Sequence, residues 1–138
     1  MSRMKTDICR VAVVLILAAL LLLTAACSMG GGSAWEGSTP LDEALTNGKP
    51  TVGEFGAETC IPCKRMKPIM EEIAAEYGDV LNMSFVDVSK TSGMATRYAI
   101  SLIPTQIFFD SSGQEITRHI GFWPKEELVA RLQETGII

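Results

Sequence analysis

The sequence predicts an α/β fold in which a central four-stranded sheet of mixed direction is flanked by helices on both faces. Three observations predict it. Strand-like apolar runs alternate with helical spacing along residues 39–138. A strand, helix, strand succession there makes one βαβ unit. Two further strand-like runs, separated by Ser111-Ser112-Gly113, make a hairpin. A helical crossover pairs its strands in parallel and a tight turn pairs them antiparallel, so the sheet must mix directions.

Each element has its own signal. Thr39-Pro40-Leu41-Asp42 reads as the capped start of a short helix over residues 41–47, which Gly48 stops. Thr51-Val52-Gly53-Glu54-Phe55 is the first strand, expected at the centre of the sheet. Met66, Ile69, Met70, Ile73, Ala74 and Tyr77 recur at helical spacing, which predicts a helix from about Cys60 to Gly78. Residues 83–88 form the second strand and residues 93–98 a short helix. The hairpin strands are residues 106–110 and 115–120. Pro124 opens the last helix, with Glu126 and Glu127 in its first turn and Leu128, Val129 and Leu132 facing inward.

Cys60-Ile61-Pro62-Cys63 lies where the first strand turns into the long helix. Counting back from Met66 places Cys63 on the apolar face, while Cys60 stands at the first turn and is expected to be exposed. Unpaired N–H groups and the positive end of the helix dipole favour a thiolate there, and the thiolate is the species that attacks a disulfide. This makes Cys60 the candidate nucleophile and Cys63 the resolving thiol. Pro62 fits because a first helical turn has no use for its missing N–H. A structural zinc site wants four Cys or His ligands. The other thiols are Cys9 and Cys27, both in the N-terminal segment, and His119 is the sole histidine, so no metal is expected. A static structural disulfide remains as the plainer alternative.

The N-terminal segment reads as an address. Arg3, Lys5 and Arg10 precede an unbroken apolar run of 13 residues, 11–23, and Leu23-Thr24-Ala25-Ala26-Cys27 closes it. That ending resembles a bacterial lipobox, in which cleavage precedes a lipid-carrying cysteine, here Cys27. Thr24 departs from the usual aliphatic residue, and an uncleaved anchor or a plain secretory signal are the alternatives. Cys9 is assigned no chemistry. The expected organisation is a signal over residues 1–27, a Gly/Ser-rich tether over residues 28–38 and one domain over residues 39–138. Eleven flexible residues span about 18 Å. Trp35, within the tether, is expected to pack loosely on the domain. Loss of residues 1–26 removes three basic residues and one acidic residue, taking the formal charge from −4 to −6. An acidic domain without a basic run argues against nucleic acid as a partner.

Phe55-Gly56-Ala57-Glu58-Thr59-Cys60-Ile61-Pro62-Cys63-Lys64, then Pro68-Ile69-Met70-Glu71-Glu72-Ile73-Ala74, then Tyr98-Ala99-Ile100-Ser101-Leu102-Ile103-Pro104-Thr105, resemble thioredoxin in order and spacing. The resemblance implies the thioredoxin fold, a cis peptide before Pro104 and packing of that bend against the thiol pair. It further implies that Ile103, Pro104 and Thr105 bind substrate by strand addition, and that Gly121 lets the substrate approach. Glu54 stands at the position of the family's buried aspartate, and Phe85 where a lysine usually faces it. A buried Glu54 would titrate high and take the proton from Cys63 during resolution. The alternative is that its longer side chain reaches solvent. Thr59 and Ile61 also depart from the family's Trp and Gly, so its redox potential does not carry over. Lys64, Arg65 and Lys67 are either helpers of a thiolate or a solvated helix face.

These readings converge on an extracytoplasmic, membrane-tethered thiol-disulfide oxidoreductase, monomeric and without a cofactor, on the periplasmic side in a diderm. Ile-Pro-Thr beside Cys-x-Pro-Cys resembles the reducing members, which implies protein disulfides as substrates and a membrane thiol carrier as electron source. A disulfide oxidase or isomerase is the alternative within the class. Outside it stands a non-catalytic binding module, of which copper delivery is a weaker variant, since only Met66 offers a third soft ligand.

Overall fold

The computed structural model describes residue 35 and residues 37–138; Cys9 and Cys27 lie outside the described residues. Among the described residues eight elements follow in chain order: α1 (Leu41–Ala44), β1 (Thr51–Gly56), α2 (Ile61–Tyr77), β2 (Asn82–Asp87), α3 (Met94–Arg97), β3 (Thr105–Phe109), β4 (Glu115–Ile120) and α4 (Lys125–Glu134). The strands form one sheet in the order β2-β1-β3-β4. β1 pairs in parallel with β2, joined to it through α2, and antiparallel with β3, which pairs antiparallel with β4. Asp110 holds the β3–β4 turn, its Oδ1 accepting from the N–H groups of Ser112 at 2.8 Å and Gln114 at 3.0 Å.

Element boundaries differ from expectation by a residue or so at the strands, and by more at α1. That helix is a single turn, and Pro40 precedes it without any side-chain cap. Thr46 Oγ1 instead donates to the carbonyls of Asp42 and Glu43, at 3.0 and 3.1 Å, and the chain turns away before Gly48. Pro68 lies inside an unbroken α2.

All six residues of β1 are buried, as a central strand with helices on both faces requires. Alternation then sorts side chains into two cores. Val52, Met83 and Phe108 share one face with Met66, Met70 and Ile73 of α2 and Leu128 and Leu132 of α4. Phe55, Val86, Ile107 and Phe109 share the other with Leu41, Met94 and Tyr98. Fully burying each such side chain contributes about 1.5–3 kcal/mol. Trp35 is not loosely packed: it is 5 % exposed, with its ring 4.9 Å from that of Phe85. Phe85 N–H donates to Ser38 Oγ at 3.0 Å, and Thr39 N–H to the Met83 carbonyl at 2.8 Å. Trp35, Ser38 and Thr39 are thus tied to β2, because burial of an indole outweighs the ordering of the short stretch of chain beside it.

Candidate active site

Cys60 and Cys63 are joined in a disulfide, with their Cα atoms 5.3 Å apart. Cys60 is the residue that caps α2, in an extended conformation, and the N–H of Cys63 donates to its sulfur at 3.3 Å. That N–H belongs to the first helical turn and has no intrahelical acceptor, so the sulfur takes an orphaned donor. The same donor would stabilise a thiolate on Cys60 once the pair is reduced. Cys63 is buried on the helix's inner face. Cys60 is half-buried rather than exposed, since capping and the bond to Cys63 draw its sulfur inward. Gly56 explains how the helix start sits so close to the sheet: a Cβ there would lie 3.2 Å from Cys63 Sγ.

Two residues back along β1, Glu54 is completely buried. It shares the face of Gly56, and hence of Cys63, because alternate strand residues point the same way. Its in-register neighbours are Phe85 on β2 and Gln106 on β3. Phe85 offers no charge, whereas Gln106 Nε2 donates to Glu54 Oε2 at 2.6 Å. Burial pushes the Glu54 carboxyl up to about 8, and the Gln106 hydrogen bond offsets only part of that rise. The solvent-reaching alternative for Glu54 is therefore not what the fold adopts. Gln106 went unnoticed in the sequence, where its one signal was a large polar residue inside the run Thr105-Gln106-Ile107-Phe108-Phe109.

The peptide bond between Ile103 and Pro104 is cis. Phe55 pairs with Thr105, so this bend reaches the same end of the sheet as Gly56 and the disulfide. Gly121 N–H donates to the Pro104 carbonyl at 2.8 Å, and Gly121 has φ +106° with nothing within 4 Å of a notional Cβ. Ile103, Pro104, Thr105 and Gly121 are therefore gathered in one place. Exposed apolar side chains at this end include Ile61, next to Cys60, Leu102, beside the bend, and Ile120, paired with Thr105. The three basic residues after the motif part company. Arg65 stacks over Phe122 at 4.2 Å, Lys67 pairs with Glu71 at 3.7 Å, and Lys64 lines a cavity of about 210 Å³ with Cys63, Trp35 and Phe85.

A strand-to-helix dithiol with one buried sulfur, a buried carboxyl behind it and a cis-proline bend is an arrangement suited to reversible disulfide exchange. The family model described as Thioredoxin matches residues 37–134. The chain belongs to the thioredoxin family. Thioredoxins similar to it include that of Alicyclobacillus acidocaldarius subsp. acidocaldarius, 33% identical over 94 residues, covering 68% of this chain and 89% of the relative. The thioredoxin of Acidithiobacillus ferridurans is 38% identical over 90 residues, 65% of this chain and 82% of its own. That of Mycoplasmoides gallisepticum (strain R(low / passage 15 / clone 2)) is 41% identical over 88 residues, 64% and 86%. Membership of the thioredoxin family and the Cys60–Cys63 pair make this chain a thiol-disulfide oxidoreductase.

Proposed function

We propose that this member of the thioredoxin family is a reductase of protein disulfides, held outside the cytoplasm by lipid on Cys27. The Cys60 thiolate attacks one sulfur of a substrate disulfide, forming a mixed disulfide and releasing the other sulfur as a thiolate. Cys63 then gives its proton to the Glu54 carboxylate and attacks Cys60 Sγ, which breaks the mixed disulfide and releases the second substrate thiolate. Two electrons have passed to the substrate and the Cys60–Cys63 disulfide has formed. A membrane dithiol carrier restores the pair by the reverse exchange, and protonated Glu54 returns its proton to Cys63. Ile103, Pro104 and Thr105 hold an extended substrate segment by its backbone, Gly121 leaves it room, and the apolar rim of Ile61, Leu102 and Ile120 suits apolar residues flanking the target cysteine.

The observation that carries this reading is the asymmetry of the pair: Cys60 caps the helix at the rim while Cys63 is buried above Glu54's face of the sheet. The direction is tested by equilibrating the pair against graded dithiol buffers. A reduction potential at or below about −230 mV, in the thioredoxin to glutaredoxin range, is the expected result, whereas about −120 mV would make the protein an oxidase. Insulin reduction with a dithiol, active in the wild type and abolished by Cys60→Ser, separates catalysis from a binding module. Metabolic labelling with a radioactive fatty acid, lost in Cys27→Ala, tests the anchor.

A further inference from the structure

The hydrogen-bonded pair Glu54–Gln106 continues one strand further. Gln106 is in register with His119 on β4, so Glu54, Gln106 and His119 form a row across three strands on the face covered by α2 and α4. In-register side chains of an antiparallel pair start from Cβ atoms about 5 Å apart. Gln106 spends its amide nitrogen on Glu54, and its Oε1 is buried with no hydrogen-bond partner among the described residues. His119 Nε2 is likewise buried and unpaired among them. An acceptor and a ring nitrogen on adjacent side chains, both orphaned, each carry an uncompensated desolvation cost unless they meet. The imidazole cannot wander far to avoid the encounter, because its ring lies stacked on Trp123 with centroids 4.0 Å apart.

We propose that His119 is a positioning residue for the proton exchange at Cys63: it donates from Nε2–H to Gln106 Oε1 and so holds the amide with its NH2 toward the Glu54 carboxylate. An amide presents a donor on one side and an acceptor on the other. With Oε1 engaged by His119, only N–H can face Glu54, and that favours the carboxylate, the form that accepts the Cys63 proton. With Nε2 bare, the amide is free to turn and present oxygen to Glu54, which favours the carboxylic acid. His119 therefore sets how readily Glu54 ionises without touching the reacting sulfurs.

The surroundings keep this effect separable. Glu54 is faced by Phe85 from β2, and the titratable side chains that α2 packs against this face are Cys63, when reduced, and Tyr77, its last residue. The buried side chains that α4 contributes here are Leu128 and Leu132. Arg118 is in register with Ile107 on the opposite face, where its Nη1 donates to the Tyr98 carbonyl. Glu58, Lys64 and Lys67 line the cavity beside Cys63, Arg65 stacks on Phe122, and Lys125 pairs with Glu72 and Glu76.

The inference rests on Glu54 as the group that exchanges a proton with Cys63, and its test reads Glu54 and His119 directly by NMR of the oxidised full chain. In the wild type above pH 9, where Glu54 is ionised, the His119 ring should show its hydrogen on Nε2; a hydrogen on Nδ1 alone would overturn the proposal. His119→Phe keeps the stack on Trp123 but removes the donor. It should raise the Glu54 carboxyl titration midpoint by about half to one pH unit. His119→Gln, which again offers an N–H, should bring it back. In a Gln106→Leu background His119→Phe should add nothing. An unmoved midpoint, or the same shift without Gln106, would sink the idea. A failed insulin assay with these results intact would count against the redox assignment instead.

Discussion

Replacing Glu54 by Gln is the substitution whose effect the structure specifies most closely. The carboxyl is buried and titrates at about 8, against 4.5 for an ordinary glutamate. Between those values the unfolded chain has lost the Glu54 proton and the folded chain has kept it. The native state thus binds more protons, and stability falls as pH rises, by about 1.4 kcal/mol per unit. Below pH 4.5 both states hold the proton and Glu54 contributes no pH dependence; above about 8 both have lost it and the cost is fully present. From pH 5 to pH 8 the loss comes to about 4 kcal/mol, an upper figure because water entering around the carboxylate relieves part of it. Glu54→Gln retains the shape and can still accept from Gln106, but it does not ionise. Urea unfolding of the oxidised protein at pH 5, 6, 7 and 8 is the assay. With a slope of about 1–2 kcal/mol per molar urea, the wild-type midpoint should drop by about 2–4 M relative to the variant across that range. Every other ionisable group is common to both proteins, His119 included, so the difference isolates Glu54. Parallel curves would mean that Glu54 is already ionised at pH 5 in the folded state, and the proton-acceptor role assigned to it would lose its basis.

Cys63→Ser should leave Cys60 able to attack but unable to be released, so incubation with a disulfide substrate should accumulate a mixed disulfide at Cys60, visible by mass spectrometry. Finding that adduct in Cys60→Ser instead would reverse the roles. Gly56→Ala adds a methyl 3.2 Å from both Cys63 Sγ and Phe85 Cε2. It should cost about 1–3 kcal/mol in denaturant unfolding, and an unchanged midpoint would mean that the start of α2 is free to move off the sheet. Phe108→Ala removes a completely buried ring in edge contact with Trp123, centroids 5.8 Å apart. A loss of about 3–5 kcal/mol is expected, and a loss below about 1 kcal/mol would show that the two helices collapse onto the gap.

Residues close in sequence announced most of the fold. The strand-like run over 51–55, helical spacing from Met66 to Tyr77, the Ser111-Ser112-Gly113 turn and Pro124 are local signals, and local sterics and hydrogen bonding suffice to interpret them. The same holds for the dithiol: Cys63 lies three positions after Cys60, and a strand-to-helix junction alone distinguishes a capping sulfur from a buried one. Where a signal was weak the reading slipped. Trp35 sits among glycines and serines, and a composition that reads as tether says nothing about an indole finding Phe85 fifty residues on.

The set of elements, their order and the identity of the reactive pair were thus legible from the chain alone, because each depends on interactions within a turn or two of chain. Tertiary structure alone decided the electrostatics behind that pair. Whether Glu54 is buried, whether Gln106 or Phe85 answers it, and whether His119 stands next in line all depend on the register of strands far apart in sequence. A one-residue slip would turn every one of those side chains to the other face. Burial then does the rest, since a carboxyl with one amide donor and no cation holds its proton to about 8 only where water is kept out.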